Sequence, residues 1–155
     1  MMKVALCVTA VYWNLEMIYL GKIALGRKYM ASNYEIKVEK LLREANIKYK
    51  KEVSVQGLCG WREHHLRFDF MVFYHGQKMF IEVDGEYHFK PIRGKLALQR
   101  QREYDERKNK WCLINQIPLI RIPYWRIKDL TLSDIFNTPE FLVKNKLHNY
   151  MLCPP

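Results

Sequence analysis

The chain has 155 residues, and 49% of them are hydrophobic, which fits one globular domain with a sizeable core and excludes a disordered tail. Lys and Arg number 26 against 16 Asp and Glu, so the formal net charge is +10. Such an excess favours a polyanionic partner, with nucleic acid first and an anionic membrane second. The cysteines are widely spaced and form no CxxC pair, which indicates a reduced cytoplasmic protein.

Residues 1–31 are predicted to form an accessory segment, a strand or a helix added to the main domain. The apolar run at residues 4–20 is short for a membrane span and is interrupted by Asn14 and Glu16. It also lacks the small-residue cleavage site of a signal peptide. Met30 is an alternative translation start, because a well-formed domain follows it directly. Residues 32–155 are then a single domain.

The first two elements of that domain have clear periodicities. Residues 32–45 place apolar side chains at helical spacing, and Ser32 followed by Glu35 is a capping-box signature. Residues 47–55 alternate apolar and polar side chains, which predicts a half-exposed strand near a sheet edge.

Residues 56–65 are predicted to be a loop, with glycines, two histidines, Trp61 and Arg62. A basic loop with an exposed aromatic side chain can contact nucleic acid. Packing of Trp61 against the core is the alternative.

Residues 66–84 predict two strands, joined by a turn at residues 75–77. The two-residue period places Asp69 on one face with Met71 and Phe73, and it fills the other face with Leu66, Phe68, Phe70 and Val72. In the second strand one face carries Phe80, Glu82 and Asp84, and the other carries Met79, Ile81 and Val83.

Three carboxylates, Asp69, Glu82 and Asp84, therefore lie in strands that are apolar enough to be buried. Buried carboxylates are costly unless they are paired or bind a cation. With His88 close by, they can bind a hard divalent cation and supply a general base. The alternative is that these acids lie on a solvated face and pair with Lys and Arg.

The remaining elements complete a helix–strand pattern. Residues 96–116 predict a long charged helix, and residues 119–122 predict a short strand between Pro118 and Pro123. Residues 130–147 suggest one or two closing helices, with Pro139 suited to the first turn of the second.

The resulting order, helix, three strands, helix, strand, resembles the αβββαβ core of the PD-(D/E)XK nuclease superfamily. The sequences IEVDGEYHF and YDERKNKWCLINQIPLIRIPY resemble more narrowly the branch related to very-short-patch-repair and phage homing endonucleases. The resemblance covers roughly residues 32–124. It implies an α/β, restriction-endonuclease-like fold with a mixed central sheet flanked by helices.

That branch uses an N-terminal helical Glu, a strand Asp, a His after the third strand and an Asp on the next helix. The matching residues here are Glu35, Asp69, His88 and Asp105. The superfamily's usual lysine is replaced by Asp84, so His88 becomes the candidate base. The zinc ligands of the repair enzymes have no counterpart near Glu86, so no structural zinc is expected. Cys59 with His64 or His65 is an alternative zinc site, but the spacing of these residues is not diagnostic of zinc.

The resemblance implies a Mg²⁺-dependent DNA endonuclease, with Mn²⁺ as a possible substitute. One or two ions would be held by Asp69, by Glu82 or Asp84, and by the carbonyl of Val83. His88 would take a proton from water, and Asp105 would fix its tautomer. The residues expected to hold the DNA backbone are Arg62, Lys90, Arg93, Arg100, Arg107 and Lys108.

Other functions remain open from the sequence. They are a non-catalytic nucleic-acid-binding module of the same fold, an RNase, a structure-specific nuclease such as a junction resolvase, and a membrane-surface protein. The expected setting is the cytoplasm, that of a host if the gene is carried by a phage. A free-standing homing role implies a homodimer, a partner or modest specificity.

Overall fold

The computed structural model describes residues 32–142. The predictions for residues 1–31 and for residues 143–147 lie outside this range. The helices are α1 (Asn33–Glu44), α2 (Lys95–Ile114) and α3 (Leu132–Asn137), and the strands are β1 (Tyr49–Cys59), β2 (His65–Tyr74), β3 (Gln77–Asp84) and β4 (Leu119–Pro123). Short 3₁₀ turns occupy Trp61–Glu63, Glu86–His88, Tyr124–Arg126 and Pro139–Phe141.

The strands form one mixed sheet in the order β1-β2-β3-β4. The first three strands are antiparallel, whereas β3 and β4 are parallel and are connected through α2. The predicted α/β class, the αβββαβ order and the sheet flanked by helices are therefore confirmed. The edge position predicted for β1 is also confirmed.

Local sequence signals account for several element boundaries. Ser32 caps α1, and the reciprocal hydrogen bonds with Glu35 make the predicted capping box. His75 and Gly76 both adopt positive φ between β2 and β3, which is the backbone of a tight hairpin turn. One boundary prediction is wrong, because residues 56–59 continue β1 instead of starting the loop. A bulge between Ser54 and Cys59 lets the strand persist despite Gly57.

Two hydrophobic clusters cover the two faces of the sheet. One face packs against α1 and α3 through Val38, Leu42 and Ile135, and includes Ile81 and Ile122 of the sheet. The other face packs against α2, with Cys112 against a group of sheet residues that includes Phe68, Met71, Phe80 and Leu119. The predicted division of β3 between faces is confirmed, since Met79, Ile81 and Val83 belong to the first cluster and Phe80 to the second.

The predicted face assignment of β2 is wrong at its centre. Leu66 and Phe68 pack with the α2 cluster, whereas Phe70 and Val72 pack with the α1 cluster. The period-two pattern is broken at Asp69, and the residue opposite it on β1, Glu52, has a φ of 51°. An irregular residue in each strand turns the following side chains to the other face.

Candidate functional site

The strands β2 and β3 separate where Asp69 meets Glu82. Their regular pairing runs from Tyr74 opposite Gln77 to Phe70 opposite Ile81 and then stops. Beyond that point, the N–H of Asp69 donates to Glu82 Oε1 at 3.2 Å, and the N–H of Val83 donates to Asp69 Oδ2 at 2.7 Å. Side-chain carboxylates thus replace carbonyls as acceptors, which holds both acids at the point of separation.

Lys108 of α2 enters this point from the helix side. Its Nζ lies 2.7 Å from Glu82 Oε2, and both side chains are buried. Burial alone would lower the pKa of Lys108, but the charges of Glu82 and Asp69 outweigh it and raise that pKa. Lys108 is therefore a buried cation beside two acids. Its predicted place among surface phosphate-binding residues does not agree with this position.

Asp69 is compensated less directly than Glu82, because Lys108 pairs with Glu82 and acts on Asp69 through its charge. Among residues 32–142 it makes no ion pair within 4 Å, although its carboxylate accepts the Val83 hydrogen bond. Burial, followed by repulsion from Glu82, raises the pKa of Asp69 well above its ordinary value. The side chain is therefore held where its negative charge is unfavourable unless a cation joins it.

Two further acids contribute to the same electrostatic field. Glu35, the capping residue of α1, adds to the repulsion felt by both Asp69 and Glu52. Burial and then Glu35 raise the pKa of Glu52, whose one ion-pair partner among the described residues is Arg67 at 3.9 Å. We call Glu35, Glu52, Asp69 and Glu82 the acidic cluster. Within residues 32–142, its four carboxylates outnumber the cations, Lys108 and Arg67, that pair with them.

Asp84 belongs to a second group of charges. Arg121 of β4 donates from Nε to Asp84 Oδ2 at 2.8 Å and from Nη2 to Asp84 Oδ1 at 2.5 Å. The same Nη2 lies 2.8 Å from Asp105 Oδ1, and Nη1 donates to Asn109 at 3.1 Å. Arg121 is only 1% exposed, so these are buried, charge-assisted contacts.

His88 completes this second group. Its Nδ1 lies 2.8 Å from Asp105 Oδ2 and 3.3 Å from Asp84 Oδ1. Burial alone would lower the pKa of His88, but the Asp105 hydrogen bond and the Asp84 charge raise it overall. Burial opposes the ionisation of Asp105 too, yet Arg121 and then His88 bring the pKa of Asp105 below its usual range. We call Asp84, His88, Asp105 and Arg121 the paired network.

The orientation of His88 leaves one ring nitrogen for other chemistry. Gln101 supports the same edge, since its Nε2 lies 3.4 Å from His88 Nδ1 and donates to Asp105 Oδ1 at 3.2 Å. Every side-chain hydrogen bond of His88 within the described residues uses Nδ1. Nε2 therefore has no hydrogen-bond partner among the described residues.

The two groups differ in how well they suit a metal ion. Asp84, His88 and Asp105 are the only three potential ligand groups in residues 32–142 whose atoms lie within 4.8 Å of one another. The guanidinium of Arg121 already contacts both of those carboxylates, so a cation there would meet a fixed positive charge. In the acidic cluster the carboxylates outnumber the cations paired with them among the described residues, but no three of these carboxylates have ligand atoms within 4.8 Å of one another.

The predicted ligand set is thus divided by the structure. Asp69 and Glu82 lie together in the acidic cluster, whereas both oxygens of Asp84 are occupied by Arg121. The contact that the structure shows for Val83 is through its N–H, while the prediction concerned its carbonyl. The predicted pairing of His88 with Asp105 is present at 2.8 Å.

The other predicted phosphate-binding residues lie on the surface. Arg100 lies over the Trp61 ring, Arg93 over the Tyr87 ring and Lys90 over the Tyr124 ring. These three cations are exposed, as are two further members of the predicted set, Arg62 and Arg107.

Sequence reasoning missed two charged residues of these groups, Glu52 and Arg121, and it expected Lys108 to contact DNA without anticipating its pairing with Glu82. Arg121 could have been found, because an arginine within the apolar run LIRI needs an acidic partner if the strand is central. Lys108 follows Asp105 by three residues and precedes Cys112 by four, so it lies on their helical stripe. Glu52 carried no signal, because its place depends on an irregular backbone.

No protein-family model, curated protein or solved structure matches this chain. Within residues 32–142, the helices are all too short or too polar to cross a membrane.

Proposed function

We propose that this protein is a metal-dependent endonuclease that hydrolyses phosphodiester bonds in DNA. The observation that carries the proposal is the excess of carboxylates where β2 and β3 separate, with Asp69 lacking an ion pair among the described residues. The cost of assembling such a cluster is offset when a divalent cation binds. The resemblance of the IEVDGEYHF region to nucleases of the very-short-patch-repair branch supports the same assignment.

Asp69 and Glu82 are the residues that would hold Mg²⁺, or Mn²⁺ in its place. When bound, the ion would polarise the scissile phosphate and make water more acidic. Lys108 fixes the Glu82 carboxylate through its 2.7 Å contact and places positive charge next to the cluster. That charge can also stabilise the extra negative charge of a phosphate in its transition state.

His88 is the candidate for proton transfer. Asp105 holds Nδ1, so Nε2 takes the proton of the attacking water. The raised pKa of His88 makes the neutral imidazole a stronger base but reduces its population near neutral pH. Cleavage should therefore increase with pH until His88 is deprotonated.

The substrate is assigned to nucleic acid from charge. The net charge of +10 and the exposed Arg and Lys residues around α2 and the Glu86–His88 turn favour a polyphosphate backbone. Neutralising about six phosphates would give a logarithmic salt slope near −5 for a duplex.

A non-catalytic nucleic-acid-binding module is the second candidate. It is favoured by one specific observation, that Glu82 and Asp84 already have the buried partners Lys108 and Arg121. Ion pairs of this kind can serve a purely structural purpose. Such a module would bind DNA without a requirement for metal.

Supercoiled-plasmid cleavage by the wild type, Asp69→Asn and Asp129→Asn tests these alternatives, with Mg²⁺, Mn²⁺ or EDTA in each case. Asp129 is exposed and lies outside both groups, so its variant is the matched control. We expect metal-dependent cleavage that is about 10²–10³-fold slower, or more, in Asp69→Asn, because a carboxylate that would hold the metal ion is lost. The control should cleave like the wild type.

The results also separate the two candidates. A folded wild type that binds DNA but cleaves no duplex, single-stranded or branched DNA and no RNA would favour the binding module. Cleavage in EDTA, or full activity in Asp69→Asn, would contradict the assignment of the acidic cluster.

A further inference from the structure

The turn between β1 and β2 displays an aromatic ring that is ordered and yet exposed. Trp61 is 51% exposed. Its Nε1 donates to Glu103 Oε2 at 3.1 Å, and its backbone N–H donates to the Tyr104 hydroxyl at 3.3 Å. The Arg100 guanidinium lies 5.3 Å from the ring centroid. Two residues of α2 therefore contact the ring and a third binds the backbone of Trp61, while half of the residue remains accessible.

The backbone of the turn that carries Trp61 is constrained by unusual φ values and by local hydrogen bonds. Arg62 and Glu63 both have positive φ, 57° and 59°, which non-glycine residues rarely adopt. The carbonyl of Trp61 lies 2.6 Å from His64 Nδ1, and Gly60 N–H donates to the His64 carbonyl at 2.8 Å. A Cβ at Gly60 would collide with the His64 imidazole unless that exposed side chain moved.

Helix α2 links this turn to the candidate site. The residues that contact the turn are Arg100, Glu103, Tyr104 and Arg107, the last through the Cys59 carbonyl at 2.9 Å. Gln101, Asp105 and Lys108 lie on the adjacent stripe of the same turns and contact His88 or Glu82. A helix with its side chains is about 10–12 Å across, so the two stripes lie within a short stretch of nucleic acid strand.

We propose that Trp61 is a stacking platform for an unpaired nucleobase, so that nucleic acid with unpaired bases is preferred over a continuous duplex. The cleavage of such substrates rests on the proposed nuclease function, but the binding preference does not. An exposed indole accepts the face of any base, and an adjacent guanidinium adds a cation–π contact and a charge for the phosphate. In a continuous duplex the base faces are covered by their neighbours and are not available to Trp61.

Equilibrium binding in EDTA tests this preference without any need for cleavage. The probes are fluorescently labelled DNAs of equal length: a continuous duplex, the same duplex with a central unpaired loop, and the single strand, with an RNA single strand as a fourth. The proteins are the wild type, Trp61→Ala, Trp61→Phe and Phe73→Ala. Phe73 is 52% exposed, like Trp61, but belongs to the far part of β2, so it is the matched control.

We expect the wild type to bind the looped and single-stranded probes at least about 5-fold more tightly than the duplex, since one stacked base contributes roughly 5- to 100-fold. Trp61→Ala should lose this preference, whereas Trp61→Phe should keep most of it and Phe73→Ala all of it. The salt slope of Trp61→Ala should equal that of the wild type, because stacking releases no counterions. Quenching of tryptophan fluorescence on binding should disappear in Trp61→Phe.

Equal affinity of the wild type for duplex and unpaired probes, or a preference that persists in Trp61→Ala, would overturn the proposal, as would the absence of binding to every probe. Cleavage without the preference would leave the nuclease assignment intact, and the preference without cleavage would leave only the stacking platform. A difference between the DNA and RNA single strands would identify the sugar that the site favours.

Discussion

The acidic cluster and the paired network are neighbours that handle buried charge in opposite ways. In the paired network, Arg121 and His88 face Asp84 and Asp105, so negative and positive groups are matched. In the acidic cluster, Asp69 has a raised pKa because repulsion from Glu82 is added to burial. The comparison shows that both acids of the first group have buried cationic partners, whereas the second group contains Asp69, which has no ion-pair partner among the described residues.

The largest expected effect comes from breaking the paired network. Arg121→Met leaves Asp84 buried without its bidentate partner, and we expect the free energy of unfolding to fall by about 3–5 kcal/mol. Urea denaturation followed by circular dichroism measures this change. The control is Arg43→Met, which removes an exposed ion pair with Glu39 and should change the free energy of unfolding far less. Similar losses of stability in the two variants would mean that the paired network stabilises the fold no more than an exposed ion pair does.

The acidic cluster should respond to a charge change in the opposite direction. Without metal, Asp69→Asn should unfold at neutral pH with a free energy equal to or above that of the wild type. The native pKa of Asp69 is raised above the unfolded value of about 3.9, so the native state binds the proton more tightly. Stability therefore falls as pH increases from about 4 through the native pKa, and asparagine avoids this loss.

Added Mg²⁺ should stabilise the wild type and Asp69→Asn to different extents. At 100 times its dissociation constant it should stabilise the wild type by about 2.7 kcal/mol, and Asp69→Asn far less. Thermal melts at increasing Mg²⁺, at constant ionic strength, measure both variants. A lower stability of Asp69→Asn in EDTA, or equal stabilisation of both proteins by Mg²⁺, would contradict the electrostatic distinction between the two groups.

The smallest expected effect is a pH dependence within the paired network. The native pKa of His88 is raised, so its stabilising contribution is fully present below the unfolded value of about 6.5. That contribution is lost as pH rises through the native pKa. We expect His88→Gln to flatten this part of the stability profile, measured by denaturation at pH 5 to 9. His65→Gln, at an exposed histidine, should follow the wild type, and an unchanged profile in His88→Gln would exclude the contribution.

The sequence by itself determined the elements and part of the candidate site. The helical period, the capping box at Ser32, the glycine turn at Gly76 and the prolines around β4 are local signals, and the αβββαβ order follows from them. It also placed Glu82 on the face of β3 opposite Ile81, because alternation is a property of one strand. The contact between His88 and Asp105 is expected from the resemblance to the nuclease branch, and the structure gives 2.8 Å between His88 Nδ1 and Asp105 Oδ2.

Only the tertiary structure decided how the charges pair. Asp84 pairs with Arg121, which is 37 positions away, and Glu82 pairs with Lys108, which is 26 positions away. Strand register and helix rotation determine both contacts. The irregular backbone at Glu52 and Asp69 reversed the side-chain faces of β2, which a strict two-residue period cannot anticipate. The local sequence determines whether a segment follows a helical or a strand period. The balance of buried charge depends on side chains that are distant in sequence and adjacent in the fold.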